Sequence, residues 1–286
     1  MLKATTFSLL ARVQRTFSIY HKTLVHIEGG LGSQILGIIS FWEHQEKYGV
    51  AKARCDLSYF KSQDRGDLWK WELDRYQIYL IELQEHGSTT ISNILKLKSD
   101  FLSELEINNN YWIQARKKYL DRFQFDRELV IDFLERFAVF EDKNSYGAVH
   151  IRRGDYLQVA SKVISFAEYL NLLLTLRELI PKNLLIVSDS QLHEKEKETL
   201  SNYFGKSHNL VFLDDPQLDP FLIHCILRQA DLLVTSNSTF SFTAALLGKS
   251  GQRAFSPVNF HSGKMAEKYN RSFRAAGSFM TLKLEE

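Results

Sequence analysis

Short apolar runs alternate with helical stripes from about Tyr146 onward. The β-like runs are Ala148–Arg152, Leu184–Ser188, Leu210–Leu213, Leu232–Thr235 and Arg253–Phe255, and helical patterns fill the gaps at Phe166–Ile180, Gln191–Phe204, Leu218–Ala230 and Thr239–Leu247. In the first helical pattern Phe166, Tyr169, Leu170, Leu173, Leu176 and Ile180 build one apolar stripe. Strands and helices alternating at these loop lengths predict an α/β architecture, a parallel sheet covered on both faces. Such a sheet binds ligands outside the carboxyl ends of its strands.

Three polar clusters fall at those ends: Arg152-Arg153-Gly154-Asp155, Ser188-Asp189-Ser190 and Ser236-Asn237-Ser238-Thr239. Strand positions alternate faces, so His150 and Arg152 point one way while Ile151 and Arg153 point the other. One guanidinium is then free to face a ligand while the other meets a carboxylate or solvent. A planar, permanently charged fork at a strand end suits a phosphate or pyrophosphate; two arginines in a structural ion-pair network is the competing reading. Ser236–Thr239 leaves one strand and opens a helix, where Ser and Asn cap well and N–H donors attract an anion. A plain cap without a ligand is the alternative, and the arginine fork on the same sheet edge tips the balance toward the anion.

The first half is less regular. His26-Ile27-Glu28-Gly29-Gly30-Leu31-Gly32-Ser33-Gln34-Ile35 follows a short strand and precedes a helix predicted over Ile35–Tyr48. Glycines at such a turn let a ligand or the backbone approach closely. Ile35 stands where a dinucleotide fingerprint needs its third glycine, and no phosphate-loop Lys-Ser/Thr follows, which argues against NAD or ATP. Residues Asp56 to Phe140 are rich in aromatics, with Trp69, Trp71, Tyr76, Tyr79, Tyr111, Trp112 and Tyr119. They either pack a second core or stack on sugar rings, core packing being the commoner use.

Size and charge narrow the classes. A chain of 286 residues allows about two domains with their own cores. A net charge of +2 gives no basic surface for nucleic acid. Cys55 and Cys225 lie in unrelated segments, against a disulfide framework or a Cys-rich metal site, and fit a reducing compartment. From Met1 to Ile27 there is no acidic residue, while Lys3, Arg12, Arg15 and Lys22 are basic and Leu10, Val13, Phe17, Tyr20 and Leu24 recur at helical spacing. No apolar run there spans a bilayer, and none resembles a signal-peptide core. A docked helix, an interfacial helix on anionic lipid and an organelle-targeting segment compete. The predicted division is 1–22 as a basic amphipathic extension, 23–145 as a first lobe and 146–286 as a second.

His150-Ile151-Arg152-Arg153-Gly154-Asp155-Tyr156 resembles the H-x-R-R-G-D-Y motif of the α-1,2-fucosyltransferases, glycosyltransferase family eleven. Gly29-Gly30-Leu31-Gly32-Ser33-Gln34 is similar to that family's G-G-L-G-N-Q, Ser188-Asp189 to its S-D-D, and Ser236-Asn237-Ser238-Thr239-Phe240-Ser241-Phe242 to its S-N-S-S/T-F-S-W. All four occur in the family's order, over roughly residues 24 to 248.

The resemblance implies a GT-B-like fold, two Rossmann-like lobes with a cleft between them, the first on the acceptor side and the second holding GDP-β-L-fucose. It implies an inverting transfer of L-fucose to a galactose-type hydroxyl in α-1,2 linkage, with no metal and no cofactor beyond the donor. Arg152 would bind the β-phosphate, His150 would line the same pocket, and Asp155 would hold the loop or the arginine pair. Ser238, Thr239 and their neighbours Ser236 and Asn237 would take further phosphate oxygens, and Arg153, Asp189, Gly30 and Gly32 would complete the donor site. Departures bear on this. Ser33 stands where the family has an Asn near the reacting sugar, Ser190 replaces the second Asp, and Phe242-Thr243 replaces a Trp-rich pair. Ile223 stands where many relatives carry an acid, so Asp219 and His224 are the nearby candidates for the guanine. Glu28 and Asp155 are candidate bases, with the departing phosphate as a third proton acceptor. The expected acceptor is a glycan, with a lipid-linked one suited to a cytoplasmic protein peripheral on an anionic membrane through residues 1–22. Two alternatives stay open: a same-fold transferase using another nucleotide sugar, and a non-catalytic glycan-binding relative.

Overall fold

The computed structural model describes residues 24–50, 54–61, 70–79, 111–138, 140, 145–158, 163–257, 273–276 and 279–282. The predicted extension over 1–22 lies outside them, as does Trp69. The chain divides into two compact units, Met1–Ile107 and Asn108–Glu286.

In the first unit strands β1 (Leu24–His26) and β2 (Arg54–Asp56) run parallel, with Val25 opposite Cys55. Parallel neighbours need a crossover, and helix α1 (Leu31–Tyr48) provides it, burying Ile35, Ile38, Ile39 and Phe41. Gly37 permits the packing: a Cβ there would come within 3.0 Å of the Ile27 side chain. Helix α1 starts four residues before the predicted Ile35. Gly30 is extended at its N-cap, and Gln34 N–H already donates to Gly30 O at 3.0 Å.

The second unit opens with helices α2 (Tyr111–Tyr119) and α3 (Glu128–Leu134). Strand β3 (Tyr146–Ile151) follows, then α4 (Phe166–Thr175), β4 (Asn183–Ser188), α5 (Glu194–Phe204) and β5 (Asn209–Leu213). Then come α6 (Pro220–Gln229), β6 (Leu232–Val234), α7 (Thr239–Leu246), β7 (Arg253–Pro257), β8 (Phe273–Ala276) and β9 (Phe279–Leu282). The seven strands lie in the order β5-β4-β3-β6-β7-β9-β8, parallel from β5 to β7 and antiparallel at β9 and β8. This is the mixed α/β architecture with a parallel sheet that the alternation predicts. Strands β3, β4 and β6 are buried at every position, as a sheet with both faces covered requires.

Local chemistry fixes the helix ends. The Ser165 hydroxyl accepts Glu168 N–H at 3.3 Å while Glu168 Oε2 accepts Ser165 N–H at 2.8 Å, a reciprocal capping box that starts α4. Asp219 caps α6 ahead of Pro220, which gives up no bond at the first helical position. From α4, Tyr169, Leu172 and Leu173 bury into one cluster with Val149, Ile151, Leu184 and Ile186 of the sheet. Each large apolar side chain so buried contributes roughly 1.5–3 kcal/mol.

The 107/108 division differs from the predicted 145/146 boundary, and two buried arginines give the reason. Arg116 of α2 donates to Leu246 O at 2.6 Å. Arg228 of α6 donates to Leu247 O at 2.8 Å and to Phe123 O at 2.7 Å, with its guanidinium 4.7 Å from the Phe125 ring. These bonds satisfy the carbonyl end of α7 and tie the α2–α3 segment to the sheet's helices. Arg228→Ala leaves both carbonyls buried without that donor and is expected to lower stability by about 3 kcal/mol; a loss below about 1 kcal/mol in urea unfolding would count against this tie.

Candidate functional site

Strand order places the site. The chain steps outward from β3 through β4 to β5, then returns through α6 to lay β6 on the other side of β3. The order therefore reverses between β3 and β6, and in open α/β sheets a crevice forms at the carboxyl ends of such a pair. Arg152 leaves the end of β3 and Ser236 follows β6, so the two predicted clusters meet at the switch point. His150 Nδ1 and Ser236 Oγ are 2.9 Å apart across it.

Both arginines have carboxylate partners. Arg152 Nη1 lies 2.5 Å from Asp189 Oδ2, and its guanidinium sits 5.1 Å from the Tyr156 ring centre. Arg153 Nη2 lies 2.5 Å from Glu196 Oε1, and Glu196 Oε2 accepts His193 N–H at 3.1 Å in the capping box of α5. Arg153 is thereby fixed to the start of α5. Arg152 is the one held at the strand end by Asp189, whose other oxygen accepts Arg153 N–H at 2.7 Å. Ile151 pairs with Ser188 in the ladder, so the register brings Asp189 level with the arginines. Gly154 begins a single 3-10 turn, Gly154–Gln158, which contains Asp155.

The serine turn is largely self-satisfied. Ser236 Oγ accepts Ser238 N–H at 3.2 Å and lies 3.1 Å from Ser241 Oγ, while Ser236 N–H donates to Ser241 Oγ at 3.1 Å. Ser238 caps α7 by accepting Phe240 N–H at 3.3 Å. The hydroxyls of Ser236 and Ser238 therefore shape the turn, which leaves a ligand role to the groups around them. Asn237 is buried and Thr239 half-buried beside them.

Two buried histidines flank Phe240. The His150 ring centre lies 5.4 Å from that of Phe240, and the His224 ring centre 5.3 Å from it. His224 Nε2 is 3.1 Å from Thr243 Oγ1. Burial, with Arg152 nearby, pushes the His150 pKa down to about 3. Burial, then Arg228 and His150, holds His224 well below the usual imidazole value. Both rings are neutral at pH 7. Ile223 is buried, and Asp219 Oδ1 accepts Phe221 N–H at 3.0 Å as the α6 cap.

In the first unit the glycine turn also sits at a strand end. Gly29 has φ +81, a conformation that favours glycine. Gln34 Nε2 donates to Gly29 O at 2.9 Å and to Lys70 O at 2.7 Å, and Gln34 Oε1 accepts Glu72 N–H at 2.9 Å. A fully buried amide thus pins the turn to the 70–72 segment. Gly32 and Ser33 lie in the first turn of α1, Gly32 buried and Ser33 half-buried, rather than in a preceding loop.

Sequence reasoning did not single out Glu196, Ser241 or Gln34 as builders of these turns. Glu196, three residues after His193, is readable as a capping box; its pairing with Arg153 across 43 residues carries no local signal. Among the described residues no three His, Cys, Asp or Glu side chains converge as a metal set.

The second unit is, in class, a doubly wound α/β unit with a guanidinium at its switch point. No family model matches the sequence, and no curated protein does. Solved structures are similar. One is POFUT1 in complex with GDP-fucose, at 13% identity and a TM-score of 0.44, covering 81% of this chain and 96% of that one. Another is NodZ alpha-1,6-fucosyltransferase soaked with GDP-fucose, at 12% identity and a TM-score of 0.46, covering 84% of this chain and 96% of that one.

Proposed function

We propose that the chain is an inverting glycosyltransferase that moves L-fucose from GDP-β-L-fucose to a galactose-type hydroxyl, in α-1,2 linkage and without a metal. One observation carries the anion-handling half of this reading. Arg152 is held by Asp189 just beyond the end of β3, and His150, two residues earlier, meets Ser236 of the turn that opens α7; in this reading the guanidinium and the helix N–H donors at that switch point share a diphosphate. The donor sugar and the linkage rest on the motif resemblance.

In the proposed reaction the acceptor oxygen bonds to C1 of fucose while the bond from C1 to the β-phosphate oxygen breaks. GDP leaves with the electron pair, and its phosphate takes the hydroxyl proton. Arg152 stabilises the charge that grows on the leaving phosphate, a preorganised interaction that strengthens in the transition state. His150, neutral in its buried place, serves as a hydrogen-bonding wall rather than a second cation. Asn237 and Thr239 with the α7 N–H groups take further phosphate oxygens. In this proposal, by the motif resemblance, Asp155 supports the Arg152 turn.

A galactoside on a surface glycan, lipid-linked and met at the cytoplasmic membrane face, is the acceptor we propose. Among the described residues no helix is long and apolar enough to cross a membrane. The test is GDP release from GDP-fucose in excess chelator, with free and lipid-linked β-galactosides. Acceptor-dependent release is expected, faster with the lipid-linked substrate. Release from another nucleotide sugar and none from GDP-fucose would replace the donor; binding of glycans with no turnover of any donor would make the chain a lectin-like relative.

A further inference from the structure

We propose that Asp189 is a positioning residue that fixes the Arg152 guanidinium for a diphosphate and does not itself touch the ligand. This rests on the diphosphate reading of the site, and it changes the role expected of Asp189 from nucleotide contact to support.

Both carboxylate oxygens are committed within one turn. Oδ2 pairs with Arg152 Nη1 at 2.5 Å, and Oδ1 accepts Arg153 N–H at 2.7 Å. A carboxylate has no donor to offer a phosphate and repels it. Its useful effect is therefore indirect: it sets where the arginine fork stands before the ligand arrives. The parallel ladder fixes its distance, because Ser188, the preceding residue, pairs with Ile151 just before Arg152. The Tyr156 ring, 5.1 Å from the guanidinium, gives the fork a second support.

Gly154 supplies an independent sign that the carboxylate's place is built. Its φ is +23, and a Cβ there would lie 2.4 Å from Asp189 Oδ2. The space a side chain would fill is the space the carboxylate occupies. Glycine after the arginine pair thus serves two needs: a turn in a region side chains rarely adopt, and room for the group that holds Arg152.

The test compares binding of a diphosphate and a monophosphate of the same base, GDP and GMP, by calorimetry. Asp189→Asn keeps the shape but places an amide donor against either Arg152 or the Arg153 N–H. GDP is expected to bind roughly tenfold more weakly to this variant, with GMP affinity unchanged. Gly154→Ala, which displaces the carboxylate, is expected to shift the same ratio. The double variant should lose no more than the worse single one, since both act through Arg152. Equal losses for GDP and GMP would mark a general structural role and overturn the proposal. Tighter GDP binding in Asp189→Asn would overturn it too, by placing the carboxylate against the phosphates. If the wild type binds UDP or ADP in place of GDP, the fucose donor fails, and the same ratio taken with that base still decides the role of Asp189. A wild type that binds no nucleoside diphosphate would overturn both readings.

Discussion

Arg152→Ala is expected to cut kcat/KM for the proposed fucose transfer by about a thousandfold while the protein stays folded. The magnitude follows from what the guanidinium does: loss of one preorganised donor to a developing oxyanion costs about 10²–10³ in rate, and here a full charge goes with it. The fold should survive because Arg152 is half-buried at a loop, paired with Asp189 alongside Tyr156, and does not belong to the apolar cluster between sheet and α4. Arg152→Lys keeps the charge without the planar fork, and an intermediate loss is expected. Arg153→Ala should behave differently, lowering stability through the lost Glu196 contact at the α5 capping box. Steady-state kinetics with thermal melts of all three variants separate these outcomes. Full activity in Arg152→Ala would remove the guanidinium from the chemistry.

Acid should destabilise the second unit well before most carboxylates titrate. Folded His150 stays neutral down to about pH 3, whereas in the unfolded chain it takes a proton near its ordinary 6.5. Between those values the unfolded state binds more protons, so stability falls as pH falls. At about 1.4 kcal/mol per pH unit, His150 alone accounts for roughly 3 kcal/mol by pH 4. His224, held low by burial and by Arg228 and His150, acts in the same direction, and half-buried Asp214, whose pKa is also lowered, adds to the loss at lower pH. The expected result is a urea midpoint that drops steadily between pH 6.5 and 4, and a shallower slope in His150→Asn. A midpoint flat over that range would mean that water or a partner charge reaches these imidazoles.

Much of the second unit was legible in the sequence because its signals are local and repeated. The strands at Ala148, Leu184, Leu210, Leu232 and Arg253 are short apolar runs bounded by polar ones, and the stripe from Phe166 fixes the buried face of α4. Parallel strands share one carboxyl edge, so the placing of Arg152 and Ser236 on the same edge was open to inference. Three things were not legible. The start of α1 was misplaced because Gly30 and Gly32 look like loop, whereas a buried Gln34 closes the turn from within the helix. Nothing local announces that Arg116 and Arg228 will reach the end of α7. Strands β9 and β8 add on antiparallel beyond β7 in a stretch with no strong alternation.

The site shows the same division. Residue types at strand ends were readable; their pairings were not. Two adjacent arginines suggested one for a ligand and one for a carboxylate, and the structure gives a carboxylate to each, Asp189 to Arg152 and Glu196 to Arg153. The serine motif suggested ligand hydroxyls, yet those of Ser236 and Ser241 meet each other and that of Ser238 caps α7 through Phe240 N–H.

The most direct measurement is a crystal structure of the full chain with GDP-fucose bound. The β-phosphate is predicted to lie within hydrogen-bond distance of the Arg152 guanidinium at the β3–β6 switch point, with Asp189 still on Nη1. A diphosphate bound away from that sheet edge, with Arg152 untouched, would contradict the proposed site.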